Sequence, residues 1–111
     1  MSTPEGEVKD AIKALLALHK IYPSSKAGAF PEDAQGWVDM PVKGSFGVSG
    51  IPDFHGHYRG LFFAVEAKAP GKKPTGFQAL QIAAIKQSGG FVCVVDGPES
   101  LKLFETWLKS I

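Results

Sequence analysis

Cysteine is almost absent: Cys93 is the only one in 111 residues. A lone thiol excludes an internal disulfide and a cysteine-built zinc site. The expected setting is therefore reducing and cytoplasmic. Excess charge of one sign is lacking as well. Eleven acids face eleven lysines and one arginine, for a net charge of +1. That balance excludes a strongly basic protein that coats nucleic acid, so any such contact must be local. Long hydrophobic runs are missing. The longest, Ala14 to Leu18 and Phe91 to Val95 among them, reach five residues, against the ~20 a membrane-spanning helix needs. No membrane partner is expected. Glu5, Glu7 and Asp10 stand where a signal peptide would carry a basic start and an apolar run. No repeat or linker divides the chain. With 44% hydrophobic and 21% charged residues, positions 1–111 are expected to form one globular domain.

Helical spacing is clear near the start. Thr3 reads as an N-cap and Pro4 as the first helical residue. Val8, Ala11, Ile12, Leu15, Leu16 and Leu18 then recur at helical intervals up to about Lys20, where Pro23 is expected to end the helix. Residues 23–50 are punctuated by glycine, proline and serine and resist assignment, with Trp37 to Met40 as a candidate short strand. A long glycine-rich segment in a small domain is commonly a binding loop.

Ile51 to Lys68 reads as a β-hairpin around Arg59-Gly60. A two-residue turn there pairs Tyr58 with Leu61, so paired numbers sum to 119 and Asp53 falls opposite Glu66. Period two places Glu66 and Lys68 on one face, and cross-strand pairing brings Asp53 to within ~5 Å at Cβ. A basic turn, Ala69 to Pro74, leads to a helix over Thr75 to Ser88 closed by Gly89-Gly90. Phe91 to Val95 suits a buried strand. Pro98 opens a last helix with a wide apolar face. This order of elements predicts an α/β fold with a central mixed β-sheet flanked by helices.

Pro52-Asp53 and, thirteen residues on, Glu66-Ala67-Lys68 carry the chemistry. Two carboxylates side by side are costly to bury unless something compensates them. A divalent cation does so, and hard oxygen ligands suit Mg²⁺ or Mn²⁺. Such a cation polarises a phosphodiester and activates water near neutral pH. Lys68 is placed to hold the attacking water or to offset charge developing on the phosphate. Ala67 points away, but its backbone carbonyl can reach a metal. An isolated E-x-K is ordinarily an exposed ion pair on a sheet edge. The Pro-Asp at hairpin register, the glycine-rich lead-in and the basic turn that follows turn the reading towards a metal site.

These residues resemble the PD-(D/E)xK nuclease signature. The wider stretch is similar to its virus-type replication-repair nuclease (VRR-NUC) branch. It runs from Gly50 to Phe54, then Gly60 to Gly71, then Thr75-x-x-Gln78 and Ser88-Gly89-Gly90 before a valine-rich strand. The resemblance covers Gly50 to Val95. It implies a restriction-endonuclease-like core, and a Mg²⁺- or Mn²⁺-dependent structure-specific DNA endonuclease. Members of this stand-alone, phage-like size imply a homodimer cutting branched DNA such as Holliday junctions, in the host cytoplasm if the chain is phage-encoded. By the same resemblance Asp53 and Glu66 match the metal-binding acids and Lys68 the catalytic lysine. Gln78 matches the glutamine on the following helix, and Glu7 the acid such nucleases bring from their first helix. Two alternatives are weighed with it. One is a non-catalytic nucleic-acid-binding module on the same fold. The other is a flap or single-strand nuclease acting with a helicase or replication partner.

The residues also have local readings. Thr75-x-x-Gln78 is a capping box in its own right, although Gln78 lies in line with Ile82 and Ile85 and so leans to the sheet. Gln81 is a neighbouring candidate of lower rank. Glu7 favours a helix start whatever else it does. His55 is read as a DNA or phosphate neighbour and His57 as structural. His19 lies near a helix end. Lys72, Lys73 and Arg59 are candidate phosphate contacts, or else parts of solvated turns. Trp37 and Phe46 are candidates for base stacking. Phe104 and Trp107 read as core, with room on their helix face for a dimer seam. Cys93 reads as a small buried hydrophobe.

Overall fold

A computed structural model describes residues 2–43 and 47–111. Phe46, paired above with Trp37 as a stacking candidate, lies outside the described residues. The first helix, α1 (Pro4–Leu18), begins as its sequence dictates: the Thr3 hydroxyl accepts the Gly6 N–H at 2.9 Å, and Pro4 occupies the first turn. It ends earlier than expected. His19 caps it, and Lys20 takes a left-handed φ of 61° that a helix cannot continue through. Pro23 is therefore not the stop. It closes a three-residue strand, β1 (Ile21–Pro23), at the sheet edge, where a missing N–H is tolerated. A short 3-10 helix (Ser24–Ala29) and β2 (Gly36–Asp39) follow. The segment that resisted assignment thus supplies β2, close to the candidate strand at Trp37 to Met40, and the last residue of β1.

β3 (Phe54–Tyr58) and β4 (Leu61–Ala67) form the expected hairpin. Tyr58 pairs with Leu61 and Phe54 with Val65. Arg59 and Gly60 have φ of 49° and 83°, the two positive values of a type I′ turn. Next come α2 (Gly76–Gln87), β5 (Phe91–Val95) and α3 (Pro98–Lys109). The sheet order is β1-β2-β3-β4-β5, with both outer pairs parallel and the two inner pairings antiparallel. The fold is a compact α/β arrangement with helices on both faces of a five-stranded mixed sheet.

Two unequal cores hold the layers together. On one face Val8, Ile12, Leu15 and Leu16 of α1 and Phe104 and Leu108 of α3 pack on Phe54, Phe63, Val65 and Val95. Trp107 stacks on Phe91 with centroids 4.2 Å apart, so most of the wide apolar face of α3 is spent on the core, while Leu103 stays exposed. Cys93 joins this core, and burial pushes its thiol up to about 12. On the other face α2 covers β4 and β5 through Ile82 against Ala64 and Val92. It does not extend over β2 and β3. No helix among the described residues is long and apolar enough to cross a membrane.

Candidate metal and phosphodiester site

The β4–α2–β5 unit is a parallel crossover, and open α/β sheets bind ligands at the carboxyl ends of such strands. Glu66 and Lys68 lie at that end of β4. Asp53 immediately precedes β3, with Pro52 fully buried beside it. Continuing the ladder one step past Phe54–Val65 sets Asp53 across from Glu66. The Ala67 N–H donates to Asp53 Oδ2 at 2.9 Å and fixes the carboxylate at the strand end. Glu66 is 1% exposed, and its Oε2 is buried without a hydrogen-bond partner among the described residues.

The two carboxyls titrate as a pair. Burial pushes Glu66 up to about 8, and the hydrogen bond and negative charge of Asp53 push it the same way. Burial also raises Asp53, but its hydrogen bonds from Glu66 and the Ala67 N–H, with the charges of Lys43 and Lys9, outweigh that and leave it lowered. One carboxyl is ionised and the other protonated at neutral pH, the arrangement adjacent acids adopt when no cation neutralises them.

A cleft of about 530 Å³ opens over this pair, lined by Asp53, Glu66, Lys68 and Gln78. Gln78 is both a helix cap and a cleft-lining residue. Its Oε1 accepts the Thr75 N–H at 3.3 Å, the return arm of a capping box, while the residue lines the cleft. The α2 N-terminus, Gly76 to Gln78, forms one wall. Gly50 packs directly against that wall at a φ of 82°, and a Cβ there would meet Phe77 backbone atoms at 2.3 Å. Gln81 reaches the same segment, with Nε2 to the Ser49 carbonyl at 3.5 Å.

Several sequence candidates fall elsewhere. Glu7 is exposed and lines a different cavity, of about 330 Å³, between α1 and the start of α3. The acid that α1 brings to the cleft is Glu5, together with Lys9 one turn on. His55 turns to β2, its Nε2 3.5 Å from Asp39 Oδ2, and its ring meets Trp37 edge-on. His57 stacks on Trp37. Arg59 is at the far end of the hairpin, six residues from Asp53, or ~20 Å along a strand. There it donates to Gln35 Oε1 and the Ile111 carbonyl. Lys72 and Lys73 are exposed on the turn between β4 and α2, outside the cleft lining.

The site also holds residues that the sequence reading missed. Lys43 Nζ lies 3.5 Å and Lys9 Nζ 3.8 Å from Asp53 Oδ1. Glu5 had a signal, since it is three residues before Val8 and seven before Ile12, on the buried stripe of α1. Lys43 had none.

No three His, Cys, Asp or Glu side chains cluster among the described residues. A metal would have two carboxylates and backbone oxygen. That set fits Mg²⁺, which keeps several waters and is bound through one or two carboxylates plus substrate phosphate. The unpartnered Glu66 Oε2 is the further observation in favour of the fit. Compared with known proteins, the chain matches no family model and no curated protein.

Proposed function

We propose that the protein is a metal-dependent deoxyribonuclease on a restriction-endonuclease-like core of the PD-(D/E)xK type, akin to the virus-type replication-repair branch. One observation carries the reading. Asp53 and Glu66 are set side by side at the carboxyl end of β4, and a nearly inaccessible carboxyl has an oxygen that no donor meets. An apolar side chain would serve packing better there. Two adjacent carboxyls beneath an open cleft serve a cation.

Asp53, Glu66 and the Ala67 carbonyl would hold Mg²⁺ or Mn²⁺. When bound, the cation supplies a Lewis acid beside the scissile phosphate and makes water a better nucleophile. The remaining work belongs to the chain. The Lys68 ammonium holds the attacking water and offsets charge that develops on the phosphate oxygens. The Gln78 Oε1 is engaged by Thr75, so Gln78 offers substrate its amide NH₂, which orients the water. The α2 N-terminus carries the positive end of the helix dipole, which favours a phosphate at that wall. Lys72 and Lys73, exposed on the turn before α2, are offered to the neighbouring phosphates. Positioning and electrostatics supply most of the rate in such displacements. DNA is the substrate of this reading, branched DNA its preferred form, and a homodimer its acting unit.

The test is cleavage of labelled four-way junction, flap, single-strand and duplex DNA in Mg²⁺, Mn²⁺ and EDTA. Metal-dependent cutting that Lys68→Ala and Asp53→Ala each reduce by at least ~10²-fold supports the reading. DNA binding with no cutting in either metal selects a non-catalytic module. Cutting of flaps or single strands but not junctions selects a nuclease that works with a helicase partner.

A further inference from the structure

We infer that Lys9 and Lys43 are exchangeable counter-ions, which hold Asp53 in the cation-free protein and pass to the phosphates of DNA when a divalent cation binds. The inference rests on the nuclease reading and adds to it two residues and a coupling between cation and substrate.

The geometry is asymmetric at Asp53. Oδ2 is taken by the Ala67 N–H at 2.9 Å. Oδ1 receives two ammonium groups, Lys43 at 3.5 Å and Lys9 at 3.8 Å. Both distances exceed the ~2.7–2.9 Å of a tight charge-assisted hydrogen bond. The lysines therefore act on Asp53 by proximity and are loosely held by it. They also occupy the approach to the carboxylate oxygen that a cation would use.

A cation on that oxygen, at the ~2.0–2.1 Å typical of Mg²⁺, would lie within a few ångströms of both Nζ atoms. Repulsion between its double charge and each ammonium then exceeds the attraction each keeps for Asp53. The lysines must move, yet each has a second tether at the cleft mouth. Lys9 has Glu5 Oε2 at 3.6 Å, and Lys43 donates to the Ile51 carbonyl at 2.6 Å. Their stems stay beside the cleft while their charges become available to a ligand.

Charge balance gives this exchange a direction. Lys9, Lys43 and Lys68 face Glu5, Asp53 and Glu66 around the cleft. Cation uptake raises the positive charge of that set where a polyanion must enter. The whole chain carries only +1, so DNA attraction depends on such local charge. Cation and DNA binding are then positively coupled, and the coupling is reciprocal.

The experiment is calorimetric titration of Mn²⁺ into DNA-free protein, for the wild type and for Lys9→Met, Lys43→Met and Lys43→Arg. Both lysines are partly exposed, and thermal melts check that each variant folds. The Met variants should bind Mn²⁺ about three- to tenfold more tightly, because an ammonium no longer competes. Lys43→Arg, which keeps the charge, should stay near wild type. DNA binding is then measured against salt with Mn²⁺ present, in a Lys68→Ala background that suppresses cutting. Each Met substitution should reduce the salt slope by about one. Met variants that bind Mn²⁺ no more tightly than wild type overturn the inference, as does an unchanged salt slope. Failure of the underlying reading looks different: wild-type protein then takes up no Mn²⁺ at all. Uptake that Asp53→Ala abolishes and the lysine variants leave unmoved overturns this inference alone.

Discussion

Glu66 is nearly inaccessible and its pKa is pushed up to about 8, so metal-free stability must depend on pH. The native chain keeps a proton on Glu66 that the unfolded chain releases above its ordinary value of 4.5. Stability from this group is complete below that value and is lost as pH rises towards about 8. Asp53 acts in the opposite sense, because its pKa is lowered. Its contribution is present above its ordinary value and is lost in acid. In EDTA the melting temperature should therefore fall between pH 5 and 8.5. Glu66→Gln, which cannot ionise, should flatten that slope and be more stable than wild type at pH 8 by on the order of a few kcal/mol. Calorimetry across this range checks it, and a variant that keeps the wild-type slope shows that another group titrates. The Asp53–Glu66–Lys68 set was legible because a two-residue turn and a side-chain period of two leave one register. Glu5 was passed over for Glu7 through helix phase. Two residues at ~100° each turn a side chain to nearly the opposite face. Lys43 was illegible because nothing local ties a lysine after β2 to a carboxylate ten residues on.

At the scale of elements, the cleft depends on how closely Ser49-Gly50 approaches the start of α2. Gly50 combines a φ of 82° with a Cβ position that would strike the Phe77 carbonyl carbon and oxygen at 2.3 Å. Backbone cannot yield as a flexible side chain can. Gly50→Ala should cost more than ~2 kcal/mol and reduce cleavage by pushing that segment from the α2 wall. Gly28→Ala, in the 3-10 helix with open space around it, should stay within ~0.5 kcal/mol. Urea melts of the two variants decide it, and equal losses would mean that the close approach carries no energy. A related comparison separates the two roles of Gln78. Thr75→Ala weakens the helix start by about 1 kcal/mol, whereas Gln78→Ala should also lower kcat. Equal kcat in the two variants would leave Gln78 a cap alone. The hairpin, α2 and β5 could be read because a turn, a cap and a β-branched run mark them. β1 could not, since three residues ending in proline show no period. Its partners also lie fifteen residues on, in β2, a pairing that only the assembled sheet reveals.

At the scale of the whole molecule, a four-way junction requires two cuts, and one chain has one cleft of this kind among the described residues. A homodimer would supply the second, and it needs an apolar face. The sequence left room for one on α3, but Phe104 and Leu108 are buried and Trp107 is stacked on Phe91, which leaves Leu103 as that helix's exposed large apolar side chain. The better candidate is α2, where Phe77 and Leu80 are each 65% exposed, three residues apart on one side of the helix. Phe77 also lines the cleft, so a two-fold seam along α2 would set two clefts close to the symmetry axis. Phe77→Glu with Leu80→Glu should then convert a dimer to a folded monomer, since neither side chain contributes to the buried cores. Light scattering after gel filtration at roughly tens of micromolar reads the state directly. A wild-type monomer at that concentration removes paired cutting, and leaves a single-cut enzyme acting on flaps or single strands. A dimer that both glutamates leave intact moves the seam elsewhere, with the open β2–β3 face around Trp37 and His57 as the next surface to test.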